Sequence, residues 1–354
     1  MNTISSPEVP TAVPPLVSVV VIGRNEGPRL AACLQSIRAM RVDGFDTEVI
    51  YVDSDSSDGS PETAAGLGVR VIRVKPERPS AALGRNAGWK AARGQFILFL
   101  DGDTLLHRNF VWRGLDELRD PAVAIVWGHR RELAPQQSLY VRVLDLDWVY
   151  PPGDSEFCGG DALVRRDALE LVGGFDQSLI AGEEPEMCRR IRAHGYRIVH
   201  INAPMTRHDL AVTTFRAYWR RAFRAGHAYA EIAARFGDSA DPLWRSEARR
   251  NLIHGGVLVL APLVPLLTAL LLSPPASLLA IVLQLSIAQL VVERTAKRCA
   301  WKHKDPRTLW LYAVHSHVQQ VPILFGQLAQ RLDARRGRQR RLIEYKAAAG
   351  GARR

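Results

Sequence analysis

From Leu16 onward the chain alternates short apolar runs with amphipathic stretches: LVSVVVI, EGPRLAACLQSIRAM, TEVIYVD, VRVIRV, AALGRNAGWKAARG and QFILFLD. Continuous Val/Ile/Leu runs of this length suit strands covered on both faces, so the pattern predicts an α/β fold on a largely parallel sheet. In such sheets ligands bind beyond the carboxyl ends of the strands. Three of the runs end there in polar groups: Gly23-Arg24-Asn25-Glu26, Asp53-Ser54-Asp55 and Asp101-Gly102-Asp103. A second block, residues 155–208, holds the turn-rich Cys158-Gly159-Gly160-Asp161 and a helix start near Arg166. It continues with a helix through EEPEMCRRIRAHG, ended by Gly195, and the strand YRIVHI.

After residue 210 the pattern changes period. Phe215, Tyr218, Trp219, Ala222, Tyr229, Ala233 and Phe236 share one helical face, with Arg216, Arg220, Arg224 and His227 on a separate stripe, which predicts a helix lying in a membrane interface. Two apolar runs follow, LIHGGVLVLAPLVPLLTALLL (252–272) and ASLLAIVLQLSIAQLVV (276–292), separated by Ser273-Pro274-Pro275. At 1.5 Å per residue they reach roughly 31 Å and about 25 Å, near the thickness of a hydrocarbon core. Arg245, Arg249 and Arg250 precede the first, and RTAKRCAWKHK (294–304) follows the second. Positive charge at both outer ends predicts a hairpin with cytoplasmic termini. Residues 307–332 are apolar but interrupted by His315, His317, Gln319, Gln320 and Pro322, which favours an interfacial or re-entrant helix over a third span.

Charge and cysteine content narrow the setting. Lys and Arg outnumber Asp and Glu by 47 to 36, with the excess after residue 215, so an anionic surface is expected to face the C-terminal part. The tail carries no aromatic besides Tyr345, which argues against a nucleic-acid stacking platform and leaves anionic lipid or a solvated charge run. Cys33, Cys158, Cys188 and Cys299 are far apart with no CxxC pair, so a zinc knuckle and a disulfide framework are both disfavoured and reduced thiols expected. The first 15 residues contain four prolines, no Lys or Arg and no long apolar run, so they lack the parts of a signal peptide.

Candidate chemistry sits at the strand ends. Asp101-Gly102-Asp103 directly follows FILFL, so both carboxylates should project into the ligand crevice close enough to share one cation. Hard oxygen ligands select Mg2+ or Mn2+, which complete their shells with substrate phosphates. Asp-Gly-Asp alone also makes an ordinary turn. The stretch Asp53 to Gly59, which includes Asp55, follows a strand and opens a helix where backbone amides can hold a nucleoside; a cap at Asp58 or Ser60 accounts for part of it, not for Asp53. Glu183 and Glu184 start a helix, where negative charge is stabilised, and a carboxylate there could also serve as general base for an acceptor hydroxyl. His208, just past YRIVHI, is either a metal ligand or a surface histidine.

In order, these stretches resemble inverting glycosyltransferase family 2, whose fold is GT-A. The matching pieces are VSVVVIGRNEG, YVDSDSSDGS, LGRNAGWKAARGQFILFLDGDT, GGDALVRRDALELVGGFD and AGEEPEMCRRIRAHGYRI, spanning roughly residues 16–210. The resemblance implies that Glu26, Asp53 and Asp55 line the nucleoside site, that Arg85 approaches the diphosphate, and that Asp101 and Asp103 hold donor and metal with His208. It places Gly160 and Asp161 on the acceptor side and Glu184 in the position of the base. Two departures stand out: Asp53-Ser54 where the family commonly has Asp-Asp, and Glu183-Glu184 where it has Glu-Asp, which leaves the base open between these two. No QxxRW follows residue 210, against a processive cellulose-synthase type.

The expected organisation is a flexible segment (1–15), a GT-A domain (16–210), amphipathic interface helices (211–250), a transmembrane hairpin (251–293), a basic loop with an interfacial helix (294–333) and a basic tail (334–354). The expected reaction is transfer from a nucleotide-diphospho-sugar, of UDP type, to a hydroxyl of a lipid-linked or polysaccharide acceptor. The setting is a multi-pass protein of the cytoplasmic membrane with its catalytic part in the cytoplasm. A sugar-nucleotidyltransferase would share the sheet but carry a Gly-rich, basic loop after the first strand, where this chain has GRNEGPRL. An idle membrane scaffold of the same fold would have no need of Asp101, Asp103 and Glu184.

Overall fold

The computed structural model describes residues 14–338 apart from 76, 78, 79 and 240, so the lead-in up to residue 13 and the tail from 339 lie outside the described residues. The alternation of the first hundred residues becomes β1 (Leu16–Gly23), α1 (Pro28–Arg38), β2 (Asp46–Asp53), α2 (Ser60–Gly66), β3 (Arg70–Arg73), α3 (Ala81–Ala91) and β4 (Phe96–Asp101). Val17, Val19, Val20 and Val21 of β1 are fully buried, as expected of a strand packed on both faces. Next come β5 (Thr104–Leu106), α4 (Phe110–Glu117), β6 (Val123–Glu132), α5 (Leu139–Asp145), a single 3-10 turn at Leu146–Trp148, and β7 (Gly153–Asp154). β8 (Ala162–Arg165), α6 (Arg166–Val172), α7 (Glu183–Ala193) and β9 (Arg197–His208) complete the domain.

The sheet runs β3-β2-β1-β4-β8-β6-β9-β5, with β7 also paired to β9. Its first half is parallel as the runs predict, whereas β8 is antiparallel to both β4 and β6, so the whole is a mixed sheet. Two registers position the site. In the parallel half Gly23 pairs with Asp53 and Ile22 with Asp101, which brings the ends of β1, β2 and β4 to one edge. In the other half His208 pairs with both Thr104 and Glu132, which draws the residue before β5, Asp103, to the end of β9.

The C-terminal part is helical: α8 (Phe215–Phe236), α9 (Arg245–Leu260), α10 (Leu263–Leu271), α11 (Pro274–Arg298), α12 (Pro306–Val318) and α13 (Gln320–Arg335). α8 and α13 approach along a seam where Gly226 meets the Ile323 carbonyl and Gly326 meets that of Phe223, contacts that a Cβ would obstruct. His227 is buried in that seam while Phe215 stays exposed. α11 is long and apolar enough to cross a membrane and none of its apolar stretch is buried; α9 and α10 pass the same test only together, bent by 41°. The bend falls at Ala261-Pro262, where a proline interrupts the ladder. Residues 306–335 form two helices that meet at Gln319, with Pro322 in the first turn of the second, where its missing N–H costs nothing.

Candidate active site

Arg85 of α3 stands at the centre of the cleft, only 2% exposed. Its Nη1 donates to Glu183 Oε1 at 3.0 Å and lies 3.0 Å from Glu184 Oε1, and its Nη2 donates to Asp101 Oδ1 at 3.1 Å. One guanidinium therefore ties the end of β4 at Asp101 to the first turn of α7 at Glu183, far along the chain. Gly160 packs directly on this cluster, since a Cβ there would overlap the Arg85 guanidinium and touch Asp101 and Glu184. The two glutamates differ in setting: the Glu183 side chain is 4% exposed, that of Glu184 19%. Burial, helped by the neighbouring Glu184 and opposed by Arg85, pushes the Glu183 carboxyl from its ordinary 4.5 up to about 7.

The raised Glu183 value has a sign for stability. With the folded value above the unfolded one, its contribution is fully present below about 4.5 and is lost as pH rises through about 7. Glu183→Gln mimics the protonated form, so its melting temperature should exceed that of the parent by more at pH 8.5 than at pH 5.5. An unchanged difference across that range would contradict the assignment.

Asp101, Asp103 and His208 offer ligand atoms within 4.8 Å of one another. His208 Nε2 lies 3.5 Å from Asp103 Oδ2, and its Nδ1 is 3.1 Å from Glu132 Oε1. A carboxylate only accepts, so a neutral imidazole that donates from Nδ1 to Glu132 turns the Nε2 lone pair toward Asp103, where a shared cation would sit. Two carboxylates and an oriented imidazole fit a divalent cation. Asp161 lies beneath this floor: fully buried, it accepts the Asp101 amide at 3.1 Å and the Thr206 hydroxyl at 2.8 Å, and pairs with Arg130 at 3.3 Å. Arg130 in turn stacks on Trp148, 4.3 Å from the ring centre.

On the other side, buried Asp53 accepts the Tyr51 hydroxyl and the Ser56 amide, both at 2.9 Å. The loops after β1 and β2 are stitched together by Asn25 N donating to Ser56 Oγ (2.9 Å) and Ser57 N to Asn25 Oδ1 (2.8 Å). Glu26 pairs with Arg29 at 3.0 Å and lays its Cγ between Gly23 and Gly102. Asp55 is exposed on the loop in a left-handed conformation, φ 65°. Glu26, Asp53 and Asp101 thus lie at the aligned ends of β1, β2 and β4, and Arg85 brings Glu183 and Glu184 of α7 to Asp101. Among the cysteines, all free, Cys158 and Cys188 come within 3.6 Å although far apart in sequence.

The family model described as glycosyl transferase family 2 matches residues 18–172, and that of glycosyl transferase family group 2 matches residues 96–292, more than half of the chain. The chain belongs to glycosyltransferase family 2. It is 28% identical over 257 residues to the pre-mycofactocin glycosyltransferase of Mycobacterium tuberculosis, covering 69% of this chain and 51% of that protein, about half its length. It is 25% identical over 231 residues to the glycosyltransferase AglE of Haloferax volcanii, covering 63% and 75%. Among solved structures, the mannosyltransferase PcManGT from Pyrobaculum calidifontis, in complex with GDP-Man and Mn2+, superposes with a TM-score of 0.63 at 22% identity. That match covers 92% of this chain and 91% of that one, and the fold is accordingly GT-A.

In this family 2 chain the residues that sequence reasoning missed are Glu132, Arg130, Thr206 and Tyr51. They reach the site only through the pairing of β6 with β9 and through neighbouring side chains, which no local motif announces. Glu132 also accepts the Leu210 amide at 3.1 Å through Oε2, so both its oxygens are engaged. Gln at 132 can accept at only one of them, and Glu132→Gln should weaken Mn2+ binding about 10- to 100-fold. Titration calorimetry on the purified protein would check this; an affinity within twofold of the parent would remove Glu132 from the site.

Proposed function

We propose that the chain is an inverting glycosyltransferase that moves a sugar from a nucleotide-diphospho-sugar, of UDP type, to a hydroxyl of a lipid-linked or polysaccharide acceptor. The single observation that carries this reading is the convergence of Arg85, Asp101, Glu183 and Glu184 into one hydrogen-bonded cluster beside Asp103 and His208. A divalent cation, Mg2+ or Mn2+, bound by Asp101, Asp103 and His208 would neutralise charge growing on the departing diphosphate.

The residues of the chain divide the remaining work. Glu184, the more exposed of the pair, accepts the proton of the acceptor hydroxyl as the hydroxyl oxygen bonds to the anomeric carbon. The bond from that carbon to the diphosphate oxygen breaks on the opposite face, and the electron pair leaves with the nucleoside diphosphate, which inverts the configuration. Arg85, committed to three carboxylates, acts as a positioning residue that aims Glu184 and Asp101. Asp53, Asp55 and Glu26 border the nucleoside. Gly160, on the acceptor side, lets the Arg85 guanidinium pack against the backbone there, and Asp161 acts indirectly by holding the Asp101 backbone.

The setting proposed is the cytoplasmic membrane, with the catalytic domain on its cytoplasmic side. Support comes from the unburied apolar α11, the exposed Leu270, Leu271 and Leu272, and the basic residues flanking the pair. The reaction is tested by screening a panel of nucleotide sugars for metal-dependent release of nucleoside diphosphate. With the accepted donor, Glu184→Gln should lower turnover by about 100-fold or more while leaving donor affinity unchanged. If Glu183→Gln and not Glu184→Gln silenced the enzyme, the base would be Glu183.

A further inference from the structure

The N-terminal turns of α9 border a groove of about 920 Å³ lined by Arg245, Ser246, Arg249, Arg250, Ile253 and His254. Arg245 is paired with Asp238 at 2.9 Å, and Ser246 donates to Glu247 at 2.8 Å. Arg249 and Arg250 are exposed and, among the described residues, have no carboxylate within salt-bridge distance. Two exposed guanidinium groups lining one groove without a carboxylate partner leave their N–H donors open to a phosphate.

The groove also has a definite place relative to the apolar helices. Ser277 Oγ donates to the Pro265 carbonyl and Gln284 Nε2 to the Ala261 carbonyl, both at 2.8 Å, so α11 runs antiparallel to the bent pair α9 and α10. Nearer the basic end, His317 bonds His254 of α9 at 3.1 Å and Thr295 of α11 at 3.0 Å, which puts those two positions at one level. Arg249 and Arg250 on one helix and Lys297 and Arg298 on the other therefore lie at the same end, just beyond that level. From the groove, Ile253, Val257 and Leu260 lead along α9 toward the apolar end, each more than half exposed. Over Arg250 to Leu260 the track is about 15 Å long.

We propose that this groove binds the phosphate of an anionic phospholipid, with Arg249 and Arg250 on the headgroup and an acyl chain along Ile253, Val257 and Leu260. A cationic fork next to an apolar track matches a phosphate that carries its own hydrocarbon, and guanidinium groups suit phosphate by bidentate geometry. The inference rests on the membrane reading above and adds to it a defined site, distinct from a general attraction of basic residues to the bilayer.

The test uses the full chain purified in detergent, with dioctanoyl phosphatidylglycerol, dioctanoyl phosphatidylcholine and inorganic phosphate as probes in thermophoresis. Phosphatidylglycerol should bind about 10-fold or more tightly than either other probe. The double variant Arg249→Gln with Arg250→Gln should lose about 10-fold or more of that affinity, while Lys297→Gln with Arg298→Gln should change it less than about threefold. Unaltered melting temperatures would confirm that the variants are folded. Equal binding of both lipids, or insensitivity to the Arg249 and Arg250 changes, would overturn the proposal, and inorganic phosphate binding as tightly as the lipid would make this a site for soluble phosphate instead. Carbonate extraction of expressing cells separates the two readings: a protein released without detergent would overturn both, whereas an embedded protein without lipid preference would overturn only this one.

Discussion

Asp103→Ala is expected to reduce sugar transfer by about 10³-fold or more and to abolish detectable Mn2+ binding, while the domain stays folded. The Asp103 side chain is fully buried against His208, so it has no solvent role to lose. What the backbone does there is independent of the carboxylate: the Asp103 carbonyl accepts the Asp209 amide at 3.2 Å, and Thr104 pairs with His208 across β5 and β9. Alanine keeps both backbone contacts and takes away the carboxylate that faces His208. Nucleoside diphosphate release and titration calorimetry with Mn2+ would report the two losses, and circular dichroism the intact fold. Full turnover in the variant, or unchanged Mn2+ affinity, would remove the metal role assigned to this cluster.

Arg85→Met should be damaging in a different way, through stability as well as rate. The side chain is of similar length, but the substitution leaves Glu183, Glu184 and Asp101 facing each other without their shared cation. Removing one partner from a buried ionic cluster costs on the order of 3–5 kcal/mol. Without Arg85 the buried Glu183 carboxyl, already displaced upward to about 7, is driven further up. A raised folded value means that the stability lost at pH 8 should partly return at pH 5.5, where the Glu183 carboxyl is protonated in the folded variant. Denaturant melts at the two pH values would show it, and adding Glu183→Gln should recover part of the loss at pH 8. A variant equally stable at both, or insensitive to the second change, would mean that Arg85 does not hold this cluster together.

The parallel half of the sheet and its polar strand ends were legible because each strand there is a continuous apolar run whose last residues fall on one edge. Asp53 and Asp101 follow from that geometry, and Asp103 from lying two residues beyond. The resemblance places Arg85 near the diphosphate, but neither a resemblance nor a helix position says where a guanidinium points, and in the structure it bonds three carboxylates. Glu132 was not legible at all. It sits in VWGHRRE with nothing to mark it, and it meets His208 only after register shifts between Trp127 and His129 and between His129 and Arg130 have re-aimed the end of β6.

The chain by itself determined the covered sheet, the carboxylates at its edge, the glutamate pair opening α7 and the apolar runs near the C-terminus, because each is a local pattern of burial and charge. The tertiary structure decided which of these groups touch. Strands β8, β6, β9 and β5 pair across long separations, and only their order brings Asp103, His208 and Glu132 into one row and sets Arg85 against α7. Strand pairing and side-chain direction depend on the whole packed core, and no window of sequence contains them.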